Sequence, residues 1–207
     1  MTGPAATAGT VLGVDVAAER RGCDAVALTP DGVAHPQGKV RGRDGMHSLV
    51  AAVRPAVVGI DAPRGWAAPG SRRSAERILA ARGFSLFTTP DAARGETRPF
   101  YAWMRHGFAV HAGAEAVPTY ETYPHAVAVV LRGGPPGTGL LRDPRTKLAW
   151  RRGALDVAGV DHSALRTIDE VDAALCAVAA RAVLDGTAEL LGDPAEGLLA
   201  LPLSRSR

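Results

Sequence analysis

Disulfide scaffolding, membrane spans and zinc ligation find little support in this chain. Among 207 residues there are two cysteines, Cys23 and Cys176, in separate contexts without metal-ligand spacing. That pattern fits a reducing compartment and a cytoplasmic location. No apolar run is long enough to cross a bilayer, and the first residues lack the basic-then-apolar order of a signal peptide. No membrane partner is therefore expected. His106 and His111 have no partner spacing that argues for zinc, and no solenoid-type repeat is visible. A long Lys/Arg block is missing too. With 24 basic against 21 acidic residues, the pI near 9.2 fits an anionic partner and a mixed-charge surface equally.

What remains is an ordinary globular composition, 46% hydrophobic and 22% charged, in a length suited to one domain. We expect a frayed leader over 1–9 and a single domain over 10–203. Two segments stand out. Val11-Leu12-Gly13-Val14-Asp15-Val16-Ala17 and Val57-Val58-Gly59-Ile60-Asp61-Ala62-Pro63 are near-copies, each carrying Gly two residues before one Asp. Such short β-branched runs read as buried strands. A carboxylate at the end of each is costly to keep ionised without a neighbouring cation.

Pro30-Asp31-Gly32 is a turn between apolar segments, so three antiparallel strands are predicted over 10–17, 24–29 and 32–40. A short helix over 46–53 is stopped by Pro55, and a fourth strand follows over 56–61. Strands one and four then run the same way, which puts Asp15 and Asp61 at one sheet edge, the C-terminal one where α/β proteins bind ligands. Residues 62–117 form a helical insertion with helices near 71–82 and 98–106. A fifth strand is predicted over 118–123, helices over 125–131, 146–157 and 168–184, and a last edge strand over 198–203. The fold class is α/β: a ribonuclease H-like mixed five-stranded sheet with flanking helices and an insertion between strands four and five.

Glu121 ends the fifth strand and is expected at the same edge. Thr167 and Glu170 have capping-box spacing, which places Asp169 and Asp172 on one face of the first helical turns. Asp169 also suits a helix-dipole partner, whereas Asp172 lies in an otherwise apolar stretch. Two unit charges about 4 Å apart repel by roughly 4 kcal/mol at an effective dielectric near 20. Gathered carboxylates would therefore be protonated unless a divalent ion neutralised them, and oxygen ligands favour Mg²⁺ or Mn²⁺.

Gly13-Val14-Asp15, Gly59-Ile60-Asp61-Ala62-Pro63, Arg73-Ser74-Ala75-Glu76-Arg77, Tyr120-Glu121-Thr122-Tyr123-Pro124-His125 and Asp169-Glu170-Val171-Asp172-Ala173, in this order, resemble motifs of the predicted ribonuclease H-like nucleases grouped as domain of unknown function 429. The likeness spans about residues 10–203 and includes Trp103-Met104-Arg105-His106-Gly107-Phe108. It implies a metal-dependent nuclease with acids at Asp15, Asp61, Glu121 and Asp172. The segment Ala17-Ala18-Glu19-Arg20-Arg21-Gly22 departs from the family's Gly-rich or Lys-bearing continuation.

The function expected is Mg²⁺-dependent phosphodiester hydrolysis on DNA or RNA, with Asp15 bridging two metals. Asp61 and Glu121 would complete one site and Asp172 the other, with Asp169 a further candidate metal ligand. Arg64, Arg73, Arg77, Lys147 and Arg151 are the candidate phosphate contacts, against the alternative of a solvated basic face. A nucleic-acid- or protein-binding module that keeps the fold without turnover is the second reading. An actin-like phosphotransferase would need a Gly-Thr phosphate loop, which Val16-Ala17-Ala18-Glu19 does not supply.

Overall fold

The two near-copied segments form the centre of the sheet in the computed structural model, which describes residues 9–137, 139 and 142–203. The expected leader, Gly9 apart, and the tail from Ser204 lie outside the described residues. Strand β1 (Val11–Asp15) pairs in parallel with β4 (Val57–Ile60), Gly13 beside Gly59 and Val14 beside Ile60. On its other side β1 pairs antiparallel with β2 (Cys23–Leu28), which pairs antiparallel with β3 (Ala34–Val40). Helix α1 (Gly42–Val53) returns the chain to β4, and β5 (Thr119–Glu121) adds in parallel. The predicted ribonuclease H-like order is thus present.

The sheet continues further than expected. Its full order is β3-β2-β1-β4-β5-β7-β6. The predicted last strand is β7 (Leu199–Pro202), but it is interior, because β6 (Ala188–Leu191) covers its far side. Four residues at an edge carry too little periodicity for β6 to be read from sequence.

Helix α7 (Ile168–Leu184) crosses β1, β2 and β4 with ten buried positions, most of them alanine. The small residues matter because of what they meet. A methyl at Gly13 would overlap the Ala173 carbonyl and the Ala177 amide, and one at Gly59 would sit 2.5 Å from the Cys176 carbonyl oxygen. The two glycines therefore let α7 approach the sheet closely. Thr167 caps this helix in the predicted capping box with Glu170. The sheet's opposite face holds a second apolar layer in which Leu12, Val14, Val58 and Ile60 meet Met46 and Val110.

The insertion contains α2 (Ser74–Ala81), α3 (Ala92–Thr97), a 3-10 turn over Pro99–Tyr101 and α4 (Ala102–Gly113). Helix α3 had no counterpart in the sequence reading. Helix α4 also starts later than predicted and runs through Gly107 instead of stopping there. Gly107 packs against Ala62, where a Cβ would lie 2.5 Å from the alanine methyl; its role is close packing and not termination. Helices α5 (Pro124–Arg132) and α6 (Pro144–Ala158) complete the layer around α7. Among the described residues no helix is long and apolar enough to cross a membrane.

Candidate metal centre

Cross-strand register builds the first part of the site. Asp15 ends β1 directly opposite Asp24 of β2, and Asp24 lies opposite Lys39 of β3. Residues in register share a face of the sheet. The first turn of α7 brings Asp169 to the same place. One carboxylate oxygen from each of Asp15, Asp24 and Asp169 lies within 4.8 Å of the other two. Oxygens on opposite sides of an ion bound at about 2.1 Å stand about 4.2 Å apart, so this triad could coordinate a divalent metal after small adjustment. Asp24 was not among the sequence candidates. The signal for it was the hairpin register, which places the first acid of strand two against the last acid of strand one.

Two partial counter-charges touch this triad. Lys39 forms an ion pair with Asp24, and Arg21, 60% exposed, reaches Asp169 at 2.9 Å. Neither Asp15 nor Asp61 has an ion-pair partner among the described residues.

Asp61 and Asp172 lie on the other side of Asp15. Gly59 lies against α7, and strand alternation puts Asp61 on that same face. Burial raises Asp15 well above the usual carboxylate range, and the charges of Asp61, Asp172, Asp169 and Asp24 raise it further. Burial, with the charge of Asp172, pushes Asp61 up to about 7, opposed by Arg151 and by a hydrogen bond shared with Asp15. Asp172 is raised too, by burial first, while Arg151 and Lys147 pull it down. Arg151 Nε stands 3.3 Å from Asp172 Oδ1. Of the expected acids, Asp61, Asp169 and Asp172 thus all lie close enough for their charges to act on Asp15.

Glu121 lines the same cavity as Asp15 and Asp61 but meets a different set of partners. It is in register with Ile60, so it points to the face opposite Asp61. There Arg73 Nη1 donates to its Oε2 at 2.8 Å, Arg73 Nη2 donates to Oε1, and the Arg64 amide donates to Oε1 at 2.7 Å. Both oxygens are occupied, in a pair whose side chains are 2% and 4% exposed. Burial lowers Arg73, but the hydrogen bonds and charge of Glu121 more than restore it.

The expected phosphate contacts are placed differently from one another, and Arg73 alone of them lines the cavity beside the acids. Arg73 is held by Glu121 and by the Glu196 carbonyl, and Arg151 is buried beside Asp172. Arg64 and Arg77 are exposed and Lys147 is half-buried. None of these three lines the cavity of about 780 Å³ that opens beside the acids. Arg20 and Arg21, from the β1–β2 loop, do line it, together with Asp15, Asp61, Asp169, Leu86, Phe87 and Trp103.

Helix α4 fixes the loops that follow two of the acids. His106 accepts from the Gly42 amide through Nε2 at 2.9 Å, which makes Nδ1 the donor to the Ala17 carbonyl at 2.7 Å. His111 Nε2 donates to the Ala62 carbonyl at 3.1 Å. Burial holds His111 down to about 4, so it stays neutral. Neither histidine is free to bind metal through the nitrogen so engaged.

A family model described as "Protein of unknown function (DUF429)" matches residues 13–197. Two solved structures are similar in fold. One is the Thermus thermophilus RuvC structure, at 19% identity and a TM-score of 0.46 over 94% of this chain and 99% of that one. The other is T. thermophilus RuvC in complex with Holliday junction substrate, at 17% identity, the same TM-score and the same coverage. No curated protein matches.

Proposed function

We propose that this chain, which belongs to the DUF429 family, hydrolyses phosphodiester bonds in nucleic acid using Mg²⁺ or Mn²⁺ held by Asp15, Asp24 and Asp169. The convergence of those three carboxylates from β1, β2 and α7 carries the reading. A donor set of oxygens alone suits hard divalent ions. Such an ion supplies neutralisation of the phosphate's charge and a more acidic water.

The remaining roles fall to the chain's own groups. Asp15 belongs to the triad and also hydrogen-bonds Asp61, so it is the acid that would contribute to a second ion position. Asp61 and Asp172 would hold the second. Arg20 and Arg21, exposed at the cavity, present forked donors to phosphate oxygens. His106 and His111 are positioning residues that hold the backbone after Asp15 and Asp61.

The test is cleavage of labelled DNA and RNA, single-stranded, duplex and branched, with Mg²⁺ or Mn²⁺. Wild-type protein is expected to cut at least one of these, and Asp15→Asn to reduce cutting to background while binding persists. One observation favours the second reading, a binding module without turnover: Lys39 and Arg21 already pair with two acids of the triad. Binding by a wild type inert on every substrate would establish that reading instead.

A further inference from the structure

The cavity beside the acids has one wall unlike the rest. Phe87 lines it while 67% exposed, and Trp103, Leu86 and Met104 extend the apolar surface. Phe100, 58% exposed, stands edge-on to Phe87 with ring centroids 5.7 Å apart, and Trp103 lies 6.4 Å from Phe87. Phe87 is thus held by other rings with much of its surface still in water. Large aromatic surface left in water at a cavity mouth marks a contact site.

The charged lining selects the occupant. Arg20 and Arg21 supply cationic forks, and Asp15, Asp61 and Asp169 line the same cavity. An occupant needs a flat apolar face for Phe87 and an anionic group for the arginines, joined within one cavity. Its 780 Å³ is within the range that holds small organic ligands. A nucleotide with its base unstacked has this shape and charge. A base inside a regular duplex does not, because both its faces are covered.

We infer that this cavity takes a nucleobase lying outside a double helix, stacked on Phe87 and Trp103, so that the substrate is single-stranded or locally unpaired at the reacting phosphate. The inference rests on nucleic acid being the ligand of the proposed site. Phe87 selects the conformation of the strand, and the aspartates act on its backbone.

The test uses the full chain carrying Asp15→Asn, so that strands stay intact in Mg²⁺, with labelled oligonucleotides of DNA and of RNA read by fluorescence anisotropy. Single strands are expected to bind about tenfold or more tightly than duplexes of the same sequence. Adding Phe87→Ala is expected to remove about tenfold from single-strand affinity and nothing from duplex affinity, whereas Phe87→Tyr retains the preference. Equal affinities for single strand and duplex, or no effect of Phe87→Ala, overturn the inference and leave the aromatic wall to a protein or other apolar partner. Asp15-dependent cutting by wild type with that outcome would leave the nuclease reading standing. A Phe87-dependent preference with no cutting would remove the nuclease reading and keep the base site.

Discussion

Two sets of buried carboxylates sit at the C-terminal edge of this sheet, and they reach neutrality differently. On one face Glu121 meets Arg73 in a two-point fork, with the Arg64 amide and the Glu196 carbonyl completing the hydrogen bonds. On the other face Asp15, Asp61 and Asp172 crowd together with Asp24 and Asp169, and burial with the neighbouring negative charge raises Asp15 and Asp61 above the usual carboxylate range. The first arrangement is complete within the protein and has a structural consequence, tying the insertion to β5. The second gathers surplus negative charge at the wall of a cavity, where protons or cations stabilise it. One residue of strand register separates Glu121 from Asp61, and with that step its partner becomes an arginine and no longer other carboxylates.

Breaking the self-contained set should give the largest effect. Glu121→Ala leaves the Arg73 guanidinium buried without its partner, and loss of one member of such a pair costs about 3–5 kcal/mol. Urea denaturation is expected to show that loss at pH 7, with Mg²⁺ affinity little changed in whatever protein stays folded. Replacing both residues, Arg73→Met with Glu121→Met, should recover most of it. A Glu121 variant that lost ion binding while keeping stability would put Glu121 back among the ligands.

The open set should respond to pH in a direction that can be worked out. Asp61 titrates near 7 in the folded protein against 3.8 ordinarily. Between those values the folded state holds a proton that the unfolded chain has released, so metal-free stability falls as pH rises and levels off above about 7. The full shift corresponds to at most about 4 kcal/mol, since each unit of pKa is about 1.4 kcal/mol. Thermal melts without divalent ions are therefore expected to show a lower Tm at pH 8 than at pH 5. Mg²⁺ should raise Tm more at pH 8, and Asp61→Asn should flatten the metal-free profile. A Tm independent of pH across that range would show that the acids are not coupled.

How far this contrast was legible in the sequence depends on the kind of information each residue needs. Asp15 and Asp61 each sit at the end of a β-branched run, a local signal, and the capping box located Asp169 and Asp172. Asp24 needed the hairpin register, which depends on how the loop over 16–22 closes. Glu121 needed the parity of Pro118-Thr119-Tyr120-Glu121-Thr122-Tyr123, where polar and aromatic residues alternate without marking an inner face. Arg73 reads as a solvent-facing cation at a helix start until the insertion folds back over the sheet. Phe87 lies in a stretch between α2 and α3 with no periodicity to interpret, so its exposure could come only from the tertiary arrangement.

The smallest effect should come from Lys39, the residue that makes the open set resemble the closed one. Its ammonium lies across the strand pair from Asp24 and would compete with a divalent ion for the same carboxylate. The side chain is 40% exposed, and ion pairs this open to solvent contribute about 0.2–1 kcal/mol. Removing it should therefore help the metal only modestly. Lys39→Gln is expected to tighten Mg²⁺ binding by about two- to fivefold in calorimetry at low salt, with the gain shrinking as salt screens the wild-type pair. Weaker binding in this variant would mean that Lys39 positions Asp24 for the ion, and that the row Asp15, Asp24, Lys39 acts as one built unit and not as an acid pair with a competing cation.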